Sequence, residues 1–297
     1  MTKVAPPLLS STPPSLEESE EGLATLSPGQ VRAEIRAGRY RGHTAQLAPG
    51  FLQCNLVVLP ADLADDFERF CHMNPKPCPL VWRSERGEPV SNDLGAEIDI
   101  RTDVPRYRVF RNGQLVGEPR AIDDLWRDDF CAFALGCSFT FDAIIARSDI
   151  LLPHMASGAN IAMYRSNIPA KSAGPFKGSY VVSMRPVPPH LVARVVEISS
   201  RYPLAHGAPL HIGDPSEIGV GDIAKPYAGD VPEIGKDDVL VFWGCGVTPQ
   251  LVIEECAVPL AITHHPGSML ITNIPVTAIQ GKTASAGDDQ SWSNLRR

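Results

Sequence analysis

The run Phe51-Leu52-Gln53-Cys54-Asn55-Leu56-Val57-Val58-Leu59-Pro60 is apolar except at Gln53 and Asn55. An apolar run of this length is typical of a strand that is buried on both faces of a sheet. From Ala61 to Met73 the apolar residues recur at helical spacing, and a stiff proline-rich loop follows over residues 74–79. The order strand, helix and loop predicts an α/β fold.

A similar pattern returns towards the end of the chain. Residues 239–243 are strand-like, residues 249–256 are helix-like, and residues 260–263 are strand-like again. A strand–helix–strand unit is the usual connection between parallel strands. We therefore predict a three-layer α/β/α sandwich around a mixed, mostly parallel sheet.

The pattern changes between these two regions. Two strands, a helix and a short extended segment follow one another at residues 160–167, 179–186, 188–202 and 209–213. This order predicts a smaller two-layer α+β domain inserted into the main one.

The predicted domain boundaries follow from these segments. The main domain is predicted over residues 26–150 and 216–275, and the inserted domain over residues 151–215. Residues 1–25 and 276–297 contain few apolar side chains, and we predict that both tails are disordered because little burial would offset the entropy of ordering them.

Composition excludes several classes of protein. The 297 residues are 43% hydrophobic and 21% charged, with a net charge of −7 and no run of Lys or Arg. A nucleic-acid partner would require a concentrated basic face, so none is expected. No apolar stretch approaches the roughly 20 residues that span a bilayer, and the first residues lack a secretion signal, so we expect no membrane partner and a cytoplasmic location. The seven cysteines contain no CxxC pair and are expected to be reduced.

Three segments place polar groups on Gly/Pro turns after strand-like stretches. They are His206–Pro215 (HGAPLHIGDP), Trp243–Pro249 (WGCGVTP) and Thr263–Gly267 (THHPG). In α/β folds, ligands bind where strands end in loops. We therefore expect these segments to converge at one cleft.

Further distinctive segments occur in a fixed order: Pro49–Val57, Phe70–Pro79, Arg101–Tyr107, Gly136–Phe141, Met163–Ile168 and Val182–Pro186. Together with the three segments above, they resemble the "putative hydro-lyase" family, also called D-glutamate cyclase-like proteins. The resemblance extends over residues 27–275. It implies a three-layer α/β domain with a smaller two-layer domain, and the addition or removal of water on a small carboxylate.

Two segments differ from the family pattern. His265 replaces an Ala, and Ser268 replaces a second His of the Thr-His-Ala-Pro-Gly-His-Met segment. Ala170 and Lys171 stand where relatives tend to have Cys-Arg. An imidazole function at the Ser268 position is therefore not expected unless His265 substitutes for it, and no nucleophile is expected at Ala170.

Water elimination requires a base, an acid and groups that hold the substrate carboxylate. His206 is the first acid–base candidate, because imidazole titrates near neutral pH and Gly207 allows close approach. His211 and Asp214 are predicted to orient His206 or to act themselves. His264 and Cys245 complete the candidate catalytic set.

Arginine binds carboxylates at two points, so arginines beside predicted strands are candidate clamps. The predicted substrate-binding residues are Arg101, Arg106, Arg165, Arg185, Lys76 and Asn167, with Gly244, Gly246 and Thr248 forming a loop whose N–H groups would hold an anion. For each arginine the alternative is an internal ion pair with a residue such as Asp99, Asp103 or Asp214.

The histidines and Asp214 have the right chemistry for zinc or iron, but their spacing matches no compact metal motif. We therefore predict no cofactor, with a metal bound by His206, His211, Asp214 and His264 as the less favoured alternative. The expected partner is a small carboxylate substrate, such as D-glutamate, which would cyclise to 5-oxoproline, or an unsaturated acid. A non-catalytic small-carboxylate binding protein is the alternative, and homo-oligomerisation is left open.

Overall fold

The computed structural model describes residues 22–283. Its strands are β1 Phe51–Pro60, β2 Leu80–Arg83, β3 Val90–Ser91, β4 Ile98–Asp99, β5 Tyr107–Arg111, β6 Gln114–Gly117, β7 Phe130–Gly136, β8 Met163–Pro169, β9 Ser179–Val187, β10 His211–Ile212, β11 Val239–Gly244, β12 Leu260–His264 and β13 Leu270–Pro275. Its α-helices are α1 Pro28–Arg36, α2 Ala61–Met73, α3 Phe139–Ala146, α4 Pro153–Ser157, α5 Val192–Ser200, α6 Thr248–Glu255 and α7 Val276–Ile279.

The strands form a large sheet and a small sheet. The large sheet has the order β2-β7-β1-β12-β5-β6, with β13 also paired to β1, and the small sheet has the order β10-β11-β9-β8. Strands β3 and β4 form a separate pair. Every pairing between the strands described above is antiparallel. The prediction of a mostly parallel sheet is therefore wrong, whereas the mixture of helix and sheet is confirmed.

The wrong prediction came from the segment β11–α6–β12. Its strand–helix–strand pattern predicts a crossover between two parallel strands of one sheet. Instead, β11 pairs with β9 and β10 in the small sheet, and β12 pairs with β1 and β5 in the large sheet. Helix α6 thus connects two sheets, and β11, which lies within the predicted residues 216–275 of the main domain, belongs to the small sheet.

Strand β1 lies inside the large sheet and changes partner along its length. All of β1 except its two end residues is buried. One edge pairs with β7 from Cys54 to Pro60, while the other edge pairs first with β13 near Cys54 and then with β12 from Val57. The change of partner falls at Asn55 and Leu56, and both residues recur in the site described below.

The two sheets contribute to one hydrophobic core. The largest buried cluster includes Leu56 and Val58 of β1 together with Val241 and Trp243 of β11. A second cluster packs α2 onto the other face of the large sheet, where the Phe67 ring meets the Phe133 ring edge-on at 4.9 Å. The ends of β7 and β11 therefore lie where the large sheet and the small sheet pack against each other.

The chain remains ordered just beyond the predicted main domain. Residues Val276–Ile279 form α7, with Val276 and Ile279 buried, although this segment was predicted to be disordered. The rest of the predicted tails, residues 1–21 and 284–297, lies outside the described residues. Within residues 22–283, no helix has both the length and the apolar character needed to cross a membrane.

Candidate functional site

Two cysteines occupy equivalent positions at the ends of strands in different sheets. Strand β7 ends at Gly136, Cys137 follows, and α3 begins at Phe139; strand β11 ends at Gly244, Cys245 follows, and α6 begins at Thr248. Each thiol accepts a hydrogen bond from a backbone N–H two residues ahead, at the start of its helix. Both cysteines line the same cleft.

Close packing explains the glycines beside these thiols. A Cβ on Gly136 would lie 1.6 Å from the carbonyl oxygen of Leu204, and a Cβ on Gly244 would lie 2.9 Å from the backbone of Lys76. A Cβ on Gly246 would lie 2.0 Å from Nδ2 of Asn55. Only glycine therefore lets these turns approach the neighbouring chain so closely.

We call the space between the two turns the thiol cleft. Its volume is about 20 Å³, enough for one water molecule. It is lined by Asn55, Cys137, Ser138, Phe139, Asn160, Ile161, Met163, Ser183, Cys245, Gly246, Val247, Gly267 and Met269. The cleft thus combines polar side chains from both sheets, and a substrate enters only if these walls move.

Burial keeps both thiols protonated at neutral pH. It raises the pKa of Cys137 to about 12 and the pKa of Cys245 to about 11. The helix N–H groups and the positive charge of Arg185 lower both pKa values, but desolvation outweighs them. Each cysteine is therefore a neutral proton donor near pH 7.

Arg185 connects the thiol cleft to the protein interior. Its side chain is fully buried and donates to Asp142 twice, from Nε to Oδ1 at 2.8 Å and from Nη2 to Oδ2 at 2.7 Å. It also donates to Ser138 Oγ at 2.9 Å and to Ser183 Oγ at 3.3 Å. Arg185 was predicted to clamp substrate, but in this structure it pairs with Asp142 and fixes two hydroxyls of the cleft.

A larger cavity lies beside the cleft and shares Phe139 with it. Its volume is about 350 Å³. It is lined by Ala45, Gln46, Pro49, Phe139, Asp142, Ala143, Ala146, Arg147, Leu151, His154, Met155 and Ala159. We call it the apolar cavity, because its walls are mostly hydrocarbon; Arg147, Asp142 and His154 are its ionisable groups.

His206 lies near Arg185 and Asp142 but does not line the thiol cleft. It is 2% exposed, and its Nδ1 donates to the carbonyl of Lys76 at 2.6 Å. Burial lowers the pKa of His206 to about 4, and the charge of Arg185 acts in the same direction. In turn, Lys76 Nζ donates to the carbonyls of Ala208 and Pro209 at 2.9 and 3.2 Å. The two loops are therefore joined by reciprocal hydrogen bonds.

His264 lies where β1 changes partner. Its Nδ1 accepts the backbone N–H of Leu56 at 3.1 Å, a group left without a strand partner at that point. Burial lowers the pKa of His264 to about 3, and its Nε2 is buried with no hydrogen-bond partner among residues 22–283. The Thr248 side chain bonds within the protein, because its Oγ1 accepts a hydrogen bond from the backbone N–H of Val181 at 3.0 Å.

His211 and Asp214 do not line the thiol cleft; Asp214 is exposed, and the His211 side chain is 13% exposed. His211 Nε2 bonds to the backbone carbonyl of Asp214 at 2.8 Å rather than to its carboxylate. The Asp214 carboxylate instead accepts the N–H of Ser216 and caps the short 3₁₀ helix there. The predicted contact of these two residues with His206 does not form.

The remaining predicted clamps lie apart from the cleft. Each of these arginines pairs with a protein carboxylate, namely Arg101 with Asp99 at 2.7 Å, Arg106 with Glu118 at 2.8 Å and Arg165 with Glu254 at 3.3 Å. Asn167 is exposed beside Gly219. The structure therefore brings Cys245 and Gly246 to the cleft, with Arg185 hydrogen-bonded to the cleft hydroxyls of Ser138 and Ser183, and it places these four residues elsewhere.

Sequence reasoning missed Cys137, Ser138, Asn160, Arg147 and His154. The repeated order strand, Gly, Cys, helix would have indicated that Cys137 and Cys245 are equivalent. Arg147 has no acidic residue three or four positions away on either side, which is typical of an arginine without a local ion pair. Among residues 22–283, no group of three or more His, Cys, Asp and Glu side chains is placed to hold a metal ion.

Comparison with known proteins identifies close relatives. The D-glutamate cyclase family model matches residues 131–273. A "putative hydro-lyase" of Jannaschia sp. (strain CCS1) is 53% identical over 251 residues, covering 84% of this chain and 94% of that protein. One from Verminephrobacter eiseniae (strain EF01-2) is 54% identical over 245 residues, covering 82% and 89%. "Putative hydro-lyase Bpet2233" of Bordetella petrii is 51% identical over 245 residues, covering 82% and 93%.

Among solved structures, the nitrogen repressor-like protein MJ0159 from Methanococcus jannaschii aligns with a TM-score of 0.40 and 12% identity, covering 88% of this chain and 99% of that one. A likeness this weak supports no conclusion. The sequence relatives are far closer, and they span most of both chains. Residues 131–273 match the D-glutamate cyclase family model, and by its close relatives the chain belongs to the "putative hydro-lyase" family.

Proposed function

We propose that the protein adds or eliminates water on a small carboxylate, with Cys137 and Cys245 as the acid–base pair. One observation carries the proposal: two thiols from two different sheets line one buried cleft, each at the start of a helix. Elimination of water needs a proton acceptor and a proton donor on either side of the reacting carbon atoms. Two thiols in one cleft, one ionised and one neutral, provide both roles.

The proposed elimination balances as follows. Because both thiols are neutral near pH 7, the reacting form is the minor one in which one cysteine is a thiolate. That thiolate removes a proton from the carbon next to the substrate carboxylate. The electron pair of that C–H bond forms the C=C bond while the C–O bond breaks. The other thiol gives its proton to the departing hydroxyl, which leaves as water. Addition of water follows the same steps in reverse.

Polar groups around the thiols support this chemistry. The N-terminal ends of α3 and α6 both lie at the cleft, where their N–H groups and the Arg185 charge favour negative charge on sulfur or substrate. Ser138 and Ser183 are oriented by Arg185. Oδ1 of Asn160 is buried with no hydrogen-bond partner among residues 22–283, which leaves an acceptor for a substrate hydroxyl or amine.

The candidate substrates are D-glutamate and small unsaturated acids. In the first reaction, the amine of D-glutamate attacks its side-chain carboxyl carbon, a C–N bond forms, and one water leaves to give 5-oxoproline. The amine proton goes to a thiolate and the departing hydroxyl takes a proton from the other thiol. The family model's name, D-glutamate cyclase, supports this choice.

The test is an NMR assay in deuterated water with a panel of D-amino acids, hydroxy acids and unsaturated acids. We expect conversion or exchange of at least one acid by the wild type, and a loss of about 10²-fold or more in Cys137→Ser and in Cys245→Ser. Cys256→Ser is the matched control, because Cys256 lies outside the cleft and bonds to the Lys177 carbonyl. Full activity of both cleft variants would overturn the thiol mechanism. Binding of several acids with no turnover would instead indicate a carboxylate-binding protein.

A further inference from the structure

Arg147 is the cation of the apolar cavity that has no carboxylate partner. It follows α3, is exposed, and its side chain lines the cavity. The four arginines named as clamps each pair with a carboxylate, whereas Arg147 forms no ion pair with any carboxylate of residues 22–283. Its charge is therefore available to a ligand.

His154 adds a second polar group to the same cavity. Neither ring nitrogen has a hydrogen-bond partner among residues 22–283, although both are buried. Nε2 lies 3.6 Å from Oδ2 of Asp142, which is longer than a hydrogen bond. The negative charge of Asp142 is already matched by Arg185. A ligand therefore meets a guanidinium without a carboxylate partner and an imidazole whose charged neighbour is Asp142.

Apart from Gln46, the remaining walls are apolar. Large hydrocarbon surfaces come from Phe139, Leu151 and Met155. Four alanines also line the cavity, namely Ala45, Ala143, Ala146 and Ala159. The cavity volume of about 350 Å³ falls within the roughly 300–1,000 Å³ of small-molecule sites. Such a surface favours a ligand with an apolar body. A second charged group on the ligand would be buried there without a partner, which is unfavourable.

We infer that the apolar cavity binds an organic monocarboxylate with an aromatic or aliphatic body, whose carboxylate pairs with Arg147. The carboxylate lies at the guanidinium, within reach of the His154 ring, and the body packs against Phe139 and Met155. D-glutamate, with two carboxylates and an ammonium group, fits this surface poorly. The inference concerns binding alone and does not depend on turnover in the thiol cleft.

The experiment is isothermal titration calorimetry of the full chain with 3-phenylpropionate, its neutral analogue 3-phenylpropionamide, and D-glutamate. We expect 3-phenylpropionate to bind at least tenfold more tightly than either of the other two compounds. Arg147→Gln should weaken its binding at least tenfold. Arg120→Gln is the matched control, because Arg120 is exposed and does not line the cavity.

Ala143→Leu is a second, independent variant. Ala143 lines the cavity, so a larger side chain should fill part of it and weaken 3-phenylpropionate binding at least tenfold while Arg147 stays in place. Circular dichroism and the melting temperature check that each variant is folded. Equal binding of acid and amide, or unchanged binding in Arg147→Gln, would overturn the inference. Loss of turnover in the cysteine variants with unchanged 3-phenylpropionate binding would separate it from the proposed function.

Discussion

Arg185 and Asp142 form a two-point ion pair in which the side chains are 0% and 9% exposed. Asp142→Ala would leave the guanidinium buried without its counter-charge. We expect a loss of about 3–5 kcal/mol in the free energy of unfolding, measured with urea. Arg194→Met is the control, because Arg194 and Glu197 form an exposed pair that contributes roughly 0–1 kcal/mol. A loss for Asp142→Ala no greater than that of the control would contradict the prediction.

The dependence of activity on pH should distinguish a thiol base from a histidine base. The pKa values of Cys245 and Cys137, about 11 and 12, lie above neutral pH, so the thiolate fraction grows about tenfold for each pH unit. We therefore expect kcat/KM to rise about tenfold per unit between pH 7 and 9. His206, with a pKa of about 4, is already neutral over that range and would give a constant rate. A flat profile would assign the base to a histidine.

His264 should make the fold less stable in acid. Its pKa is about 3 in the folded protein and 6.5 in an exposed side chain, so below pH 6.5 the unfolded chain binds a proton that the folded chain does not. The free energy of unfolding should therefore fall by about 2 kcal/mol from this residue between pH 7 and pH 5. In His264→Asn, whose amide oxygen can still accept the Leu56 N–H, this part of the loss should vanish. If the free energy of unfolding falls by the same amount between pH 7 and pH 5 in the wild type and in His264→Asn, the prediction is wrong.

Gly136 and Gly117 provide a matched pair of glycine substitutions. A Cβ at Gly136 would collide with the Leu204 carbonyl, whereas a Cβ at Gly117 would meet nothing within 4 Å. We expect Gly136→Ala to cost about 3 kcal/mol in unfolding free energy, with loss of activity because Cys137 is displaced. Gly117→Ala should change stability by roughly 0.5 kcal/mol at most. Similar urea midpoints for the two variants would show that the Gly136 turn tolerates a side chain.

Local sequence patterns predicted elements better than they predicted sheets. The apolar run of β1 and the helical spacing of α2 correspond to the observed elements. The arrangement around α6 was wrong, because a strand–helix–strand pattern is the same whether the two strands share a sheet or lie in different ones. Pairing depends on side-chain packing between distant segments, which no local pattern reports.

The sequence indicates only part of the candidate site, because local patterns do not report contacts between distant segments. Cys245 and Gly246 were found because a glycine-flanked thiol after a strand is a local signal. Arg101 and Arg165 were chosen by residue type, but each pairs with a carboxylate, Asp99 two residues away and Glu254 far along the chain. Whether an arginine meets a substrate or a protein carboxylate is decided by tertiary structure, and residue type alone does not predict it.

Cys137 follows a strand of the large sheet, and Cys245 follows a strand of the small one. A chain in which only one of the two sheets has formed holds only one of these thiols in place. The thiol cleft forms only when both sheets have folded and packed together, so the proposed acid–base pair requires the complete fold.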